Sequence, residues 1–206
     1  MATWWITVGD RVLPKQIGGH PALELCNTRS GWGEPYDDRQ NYLRDLTYLV
    51  TLGELNGLLS HDRANTLIRK ASREPQAASD VLASTVSLRA DLYDALTGRS
   101  TSAGFRRVAD AIAEARSRQE LVSDSDGPHW VFKGRPSLKE SLDCFLVAAS
   151  DLLTGQRFSQ IEGCPGSDCG WLFLNGSGRR RWCQMAVCGN RAKQAAYADR
   201  SRQAQP

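Results

Sequence analysis

Long apolar runs are missing from this sequence of 206 residues. Uncharged, apolar-leaning stretches such as Cys144 to Ser150 fall far short of the roughly 20 residues that cross a bilayer. Mean hydropathy is −0.43, so a membrane span is not expected. The opening Met-Ala-Thr-Trp-Trp-Ile-Thr-Val-Gly-Asp has no basic leader followed by an apolar core, so the sequence predicts no secretory signal and a cytoplasmic location. Histidine is scarce: His20, His61 and His129 show no metal-ligand spacing with one another. A glycine-rich phosphate loop, a nucleophile elbow and an HExxH motif are all absent, so no catalytic constellation is expected. Nor is there an internal repeat or a low-complexity block. Hydrophobic residues make up 41% and charged residues 24%, which sets aside disordered and fibrous classes and fits one or two globular domains.

The net charge of +3 is unevenly placed. Residues 157–206 carry eight bases (Arg157, Arg179, Arg180, Arg181, Arg191, Lys193, Arg200, Arg202) against three acids (Glu162, Asp168, Asp199), a net of +5. The first 156 residues hold 18 bases and 20 acids, a net of −2. A basic final quarter on a slightly acidic body fits an attached polyanion-binding element, or a solvated tail that keeps the chain soluble.

Hydrophobic periodicity predicts a mainly helical body with minor β structure. Residues 4–13 suit a strand or hairpin about Gly9-Asp10, and Ala22–Thr28 a short helix or strand after the turn at Gly18–Pro21. Leu43, Leu46, Leu49 and Val50 share one helical face; Leu55, Leu58 and Leu59 share another. Ser60 caps a helix ending near Arg73, with Pro75 beyond it. A longer helix opens at Ser79 and stops at Gly98, carrying Leu82, Val86, Arg89, Tyr93 and Leu96 as its stripe. Another covers Phe105 to Arg118. Gln119–Ser123 and Trp130–Lys133 flank Asp126-Gly127-Pro128 as a hairpin or a pair of strands. Ser137 and Glu140 have capping-box spacing for a helix from Leu138 to Leu153, ended by Gly155.

Of six cysteines, four fall in the last 43 residues. Cys164, Cys169, Cys183 and Cys188 form the pattern C-x4-C-x13-C-x4-C, which lets two short loops bring four thiolates to one tetrahedral zinc ion. Two disulfides are the alternative, and they require an oxidising compartment. Between the pairs, Trp171–Leu174 reads as a strand, Asn175–Gly178 as a turn, and Arg179–Trp182 as an antiparallel return. After Cys188, residues 190–202 favour helix. The fold class expected is therefore mainly α (α+β): a helical N-terminal domain with short hairpins over 1–156, and a small treble-clef-like four-cysteine zinc finger over 157–206. Four thiolates leave no open coordination position, so the zinc is structural and one per chain. Cys26 and Cys144 lie apart in apolar contexts and read as buried thiols.

Cys164, Cys169, Trp171-Leu-Phe-Leu174, Arg180-Arg-Trp-Cys183, Met185 and Cys188-Gly-Asn-Arg191 with Lys193 closely resemble the CGNR zinc finger. Gly19-His-Pro-Ala-Leu-Glu-Leu-Cys-Asn-Thr28 resembles the opening of the ABATE domain, which precedes that finger in bacterial stress-induced transcription regulators. The sequence departs from the family pattern in its short, glycine-rich turn without an acidic residue at position 175, and in Cys26. The resemblance implies a zinc-dependent, DNA-binding transcription regulator whose helical domain senses a small ligand or stress.

On that reading, Arg179 and Arg181 project from one face of their segment, and Arg180 and Trp182 from the other. Arg179, Arg180, Arg181 and Lys193 are the expected phosphate contacts, and Asn190, Arg191 and Gln194 the expected base-edge contacts. Asn190 and Arg191 have a structural alternative beside Cys188, as helix caps or partners of the zinc thiolates. About five phosphate contacts give a slope of log affinity against log salt of roughly −4 to −5. One finger is a small interface, so tight specific binding requires a homodimer. The ligand pocket has no sequence signature; His20, Trp32, Tyr36, Tyr93 and Trp130 are its candidates, with core packing the alternative for the aromatics. A competing reading makes the finger a docking module for protein or RNA.

Overall fold

The computed structural model describes residues 3–125 and 127–203. Compact packing divides the chain differently from its linear order. One unit spans Leu43–Phe158, and the other combines Met1–Tyr42 with Ser159–Pro206. The boundary expected from the sequence lies between residues 156 and 157.

The first of these units is helical. α2 (Leu46–Leu55) starts at Asp45, whose carboxylate accepts from Thr47 N at 2.7 Å. α3 (His61–Arg73) is capped by Ser60, as its sequence predicts. α4 (Pro75–Leu96) begins four residues before the expected Ser79, because Pro75 serves as the first helical residue and Glu74 joins the two helices. α5 (Ser102–Ser117) is capped by Thr101. The hairpin of β3 (Gln119–Asp124) and β4 (Gly127–Phe132) pairs Gln119 with Phe132 and Leu121 with Trp130. Asp126, named in its expected turn, lies outside the described residues.

α6 (Glu140–Thr154) is the apolar centre. Its Leu142, Phe145, Leu146, Ala149 and Leu152 are buried against α2, α4 and α5. The capping box is present in part: Ser137 N donates to Glu140 Oε1 at 2.8 Å, while Ser137 Oγ accepts from Lys139 N. That places the helix start at Glu140 rather than Leu138. Residues 56–59 turn around Gly57 instead of continuing the leucine periodicity as a helix.

In the second unit, β1 (Trp5–Val8) and β2 (Arg11–Pro14) form the expected hairpin about Gly9-Asp10. The segment after it forms α1 (Pro21–Cys26), capped by His20, whose Nδ1 accepts from Ala22 N. Next come β5 (Ile161–Gly163), β6 (Leu172–Leu174) and α7 (Asn190–Gln203), the last entered through a π-type turn at Met185–Gly189.

The expected hairpin of 171–174 with 179–182 does not form. β6 pairs instead with β5, in the register Ile161–Leu174, Glu162–Phe173 and Gly163–Leu172. Its other backbone groups are taken by the N-terminal segment: Leu174 N donates to Gly18 O at 2.8 Å, and Asn27 bonds both Leu172 N and Leu172 O. With Leu172 N, Leu172 O and Leu174 N so taken, the edge of β6 away from β5 is not open to a ladder with residues 179–182.

Candidate metal centre

Each cysteine pair is held by a tight loop. Cys164 follows β5, and its N–H donates to Trp171 O at 2.8 Å; Cys169 N donates back to Gly166 O. Gly166 lies against the sulfurs: a Cβ there would stand 3.3 Å from Cys188 Sγ and 3.5 Å from Cys164 Sγ, so the cluster would have to give by a few tenths of an ångström. On the other side, Val187 N and Gly189 N both close onto Gln184 O, which turns Cys183 and Cys188 toward the same point. Gly189 is more tightly placed: a Cβ would lie 2.3 Å from Met185 Sδ and 3.1 Å from Trp182 Cδ1, so a side chain there would have to displace the Met185 thioether.

The four sulfurs all lie within 4.8 Å of one another, and all four residues are buried. Cys169 and Cys183 are 3.6 Å apart, Cys183 and Cys188 3.5 Å. Four thiolates about 2.3 Å from a tetrahedral zinc stand about 3.8 Å apart, so the donor set and its spacing fit one zinc ion. Mutual proximity of all four, rather than closeness in two pairs, favours a metal over disulfides. S–H donation from the other three sulfurs pushes the Cys164 thiol far down, while the Cys183 thiol is pushed up. A divalent cation held among the four sulfurs deprotonates all of them. The cluster is chain-saturated, with no position open to substrate.

The centre is also the unit's hydrophobic core. Trp171 and Phe173 are buried with the cysteines, and Trp4, Ile17, Trp32, Tyr42 and Trp182 pack against them. Trp171 Nε1 donates to Arg29 O at 2.8 Å, and its ring lies 6.2 Å from that of Tyr42. Burial, with the nearby Cys169, raises the Tyr42 hydroxyl pKa. Gly31 N and Trp32 N donate to Asp168 O and Cys169 O, so the N-terminal segment also clamps the first cysteine loop. Asn27 is fully buried, and its amide bonds Leu172 like a neighbouring strand, donating to O at 3.0 Å and accepting from N at 2.8 Å. Glu24 is buried beside it, its Oε1 accepting from Gly18 N at 2.7 Å and Gly19 N at 3.2 Å. Burial pushes that carboxyl up to about 7, with the backbone donors opposing the shift.

The candidate contact residues separate into two groups. Arg180 turns inward: its guanidinium donates to Ile17 O at 2.8 Å, Trp182 O at 3.2 Å and Cys183 O, and lies 4.2 Å from the Phe173 ring centre. Burial lowers its pKa, against the pull of Cys183 and Glu24. Asn175 holds this segment, accepting from Arg180 N and donating to Arg180 O and Glu162 Oε1. Asn190 Nδ2 donates to Ala186 O at 3.2 Å. Arg191 lies over the Trp4 ring at 5.2 Å and 4.0 Å from Asp168.

Arg179, Arg181, Lys193 and Gln194 are exposed. Sequence alternation around Arg180 therefore gave the right faces without the strand expected to create them. Sequence reasoning assigned no role to Asn27, Glu24 or Gly166, and gave Asn175 only a place in the turn. Asn27 stood within the quoted N-terminal motif, but its partner is 145 residues away.

Helices, short two-stranded ladders and a four-cysteine cluster positioned for one zinc ion define a mainly α zinc-finger protein. Comparison with family models gives two matches: residues 160–201 match the CGNR zinc finger, and residues 19–156 match ABATE, described as Putative stress-induced transcription regulator. The chain belongs to that ABATE family and carries a CGNR zinc finger. Both are regulator or zinc-finger families rather than enzyme families. No curated protein matches the chain. Among the described residues, no helix is long and apolar enough to cross a membrane.

Proposed function

We propose that this protein is a zinc-dependent transcription regulator that binds DNA through the surface carried by its metal centre, with a small-ligand sensor in the ABATE part. The division of labour follows the chain: sensing within 1–156, DNA contact within 157–206. The observation that carries this reading is α7. Apart from half-buried Ala192, the helix is exposed wherever its side chains are described, and it is polar nearly all round. Such a helix has no apolar stripe to bury against its own chain, and it forms where a partner or a nucleating cap supplies the missing stabilisation. The cysteine cluster launches it beside two exposed arginines.

Arg179, Arg181, Lys193 and Arg200 are the phosphate contacts on this reading, and Gln194 is the side chain offered to a base edge. Arg180 leaves the set, because three carbonyls already occupy its donors. Asn190 and Arg191 serve the finger itself, Arg191 also offsetting the formal −2 charge of four thiolates on Zn²⁺. Four phosphate contacts correspond to a slope of log affinity against log salt of about −3.6, shallower than five would give. Tight specific binding calls for a homodimer.

A second reading has a specific observation behind it. Tyr197 is 69% exposed on α7 and Met185 46% exposed just before it, which suits a protein partner. Fluorescence anisotropy of the zinc-loaded chain with duplex DNA across a salt series decides between the two. Steep salt dependence whose slope falls by about 2 in Arg179→Ala/Arg181→Ala supports DNA binding. A folded, zinc-loaded protein that binds no duplex at low salt overturns it in favour of a protein partner.

A further inference from the structure

A cleft of about 370 Å³ opens in the helical unit between the β3–β4 hairpin, α3 and α6, within the size range of small-molecule sites. Gln119 lines it, with only 9% of the residue exposed, and its Oε1 is buried with no hydrogen-bond partner. Native proteins rarely leave such an acceptor unmatched, so it calls for a partner from outside the chain. Trp130 also lines the cleft and is 56% exposed, although it is among the largest apolar side chains of the chain. The strand register explains their association: Gln119 faces Phe132 and Leu121 faces Trp130, so these four side chains share one face of the hairpin. Phe132 and Leu59 contribute further apolar wall.

The cleft's charges are already matched. Arg63 Nε donates to Glu140 Oε2 at 2.7 Å and Nη2 to Oε1 at 2.8 Å; Ser137 N also donates to that Oε1. Glu140 is buried, so this pair is self-neutralising and leaves no net charge to attract an ion. A charged guest would have to break it.

We propose that this cleft binds a small, uncharged ring compound carrying an N–H or O–H donor, which Gln119 Oε1 accepts while the ring lies against Trp130 and Phe132. The assignment rests on the sensing half of the proposed function and gives it a place and a ligand class. Of the five pocket candidates named from sequence, it selects Trp130.

Indole and 1-methylindole form a matched pair of probes, because they differ in the one N–H donor. Each is titrated to millimolar concentration into the ¹⁵N-labelled, zinc-loaded full chain, without DNA, so the outcome is independent of duplex binding. The expected result is a shift of the Trp130 indole and Gln119 side-chain amide resonances, with indole binding about fivefold or more tightly than 1-methylindole. Gln119→Met, similar in length and lacking the acceptor, removes that preference, and Trp130→Ala weakens both probes. Equal binding of the two probes to the native chain overturns the proposal. So does the absence of shifts at these two residues, or a preference that survives Gln119→Met.

Discussion

Replacing Asn27 by alanine tests whether the N-terminal segment is part of the metal centre's fold. Its amide donates to Leu172 O and accepts from Leu172 N, and both residues are fully buried. Alanine removes both partners at once and leaves a buried N–H and a buried C=O in the middle of β6, where β5 cannot reach them. Each such group costs about 1–3 kcal/mol, so the variant should lose about 2–6 kcal/mol in this unit. Because Trp171 and Phe173 on either side of Leu172 belong to the core around the four cysteines, the loss should appear in zinc retention as well as in unfolding. The assay is urea unfolding of the zinc-loaded protein followed by tryptophan fluorescence, paired with the rate of zinc transfer to a chromogenic chelator. A loss of about 3 kcal/mol weakens apparent zinc affinity by a factor of about 100 where folding and binding are coupled. A shift below about 0.5 kcal/mol, the range of an ordinary surface substitution, with unchanged zinc transfer would refute the idea that residues 15–42 complete the finger.

Glu24 gives a pH signature. Its native pKa is about 7 against an ordinary 4.5, so the native state keeps a proton that the unfolded chain has released. The stability present below pH 4.5 is therefore lost progressively as pH rises toward 7, by about 3 kcal/mol in all. Glu24→Gln, which has no proton to lose, should melt higher than the parent at pH 8 and close to it at pH 5 when both are zinc-saturated; a constant difference contradicts the assignment. Arg180→Ala should cost about 2–4 kcal/mol, because Ile17, Trp182 and Cys183 carbonyls lose their donor, whereas Arg179→Ala/Arg181→Ala should stay within about 0.5 kcal/mol in the same urea titration. Chelation of zinc should unfold the cysteine unit, read as a red shift of tryptophan emission. Most helical circular dichroism should survive, because the α2–α6 core contains none of the four ligands.

Which parts of this molecule were legible in its sequence follows from the range of the interactions involved. Ser60 acts on an amide three residues away and is evident as a cap from the pattern alone, whereas Thr101 caps α5 at Ser102, three residues before the Phe105 start that apolar periodicity gives, and Asp45 caps α2 without a signal in that periodicity. The cysteine spacing is similarly self-contained: two short loops must each present two thiolates, and the four sulfurs converge as the spacing requires. In sequence Pro75 reads as a stop, because a proline ends the helix before it, yet the same residue is favoured at the first turn of the next helix. Local rules do not choose between those roles.

The misassigned hairpin has a deeper cause. Residues 171–174 followed by a glycine-rich turn and a second strand-length segment satisfy every local criterion for a hairpin, but strand pairing is settled by competition for backbone groups. Ile161–Gly163 pairs along one edge of β6, and Gly18 and Asn27 take backbone groups of Leu174 and Leu172 on the other. Arg180 is then freed from a ladder to satisfy carbonyls beside the cysteines, which is why a residue that looked like a phosphate contact became a brace. The four-residue name CGNR divides the same way. Cys188 is a ligand, Gly189 is the residue whose Cβ would collide with Met185 and Trp182, Asn190 bonds the preceding turn, and Arg191 lies between Trp4 and Asp168. All four positions are thus engaged in building the centre. Variation in what this surface recognises should therefore reside in the exposed Arg179, Arg181, Lys193 and Gln194 rather than in the motif that identifies the finger.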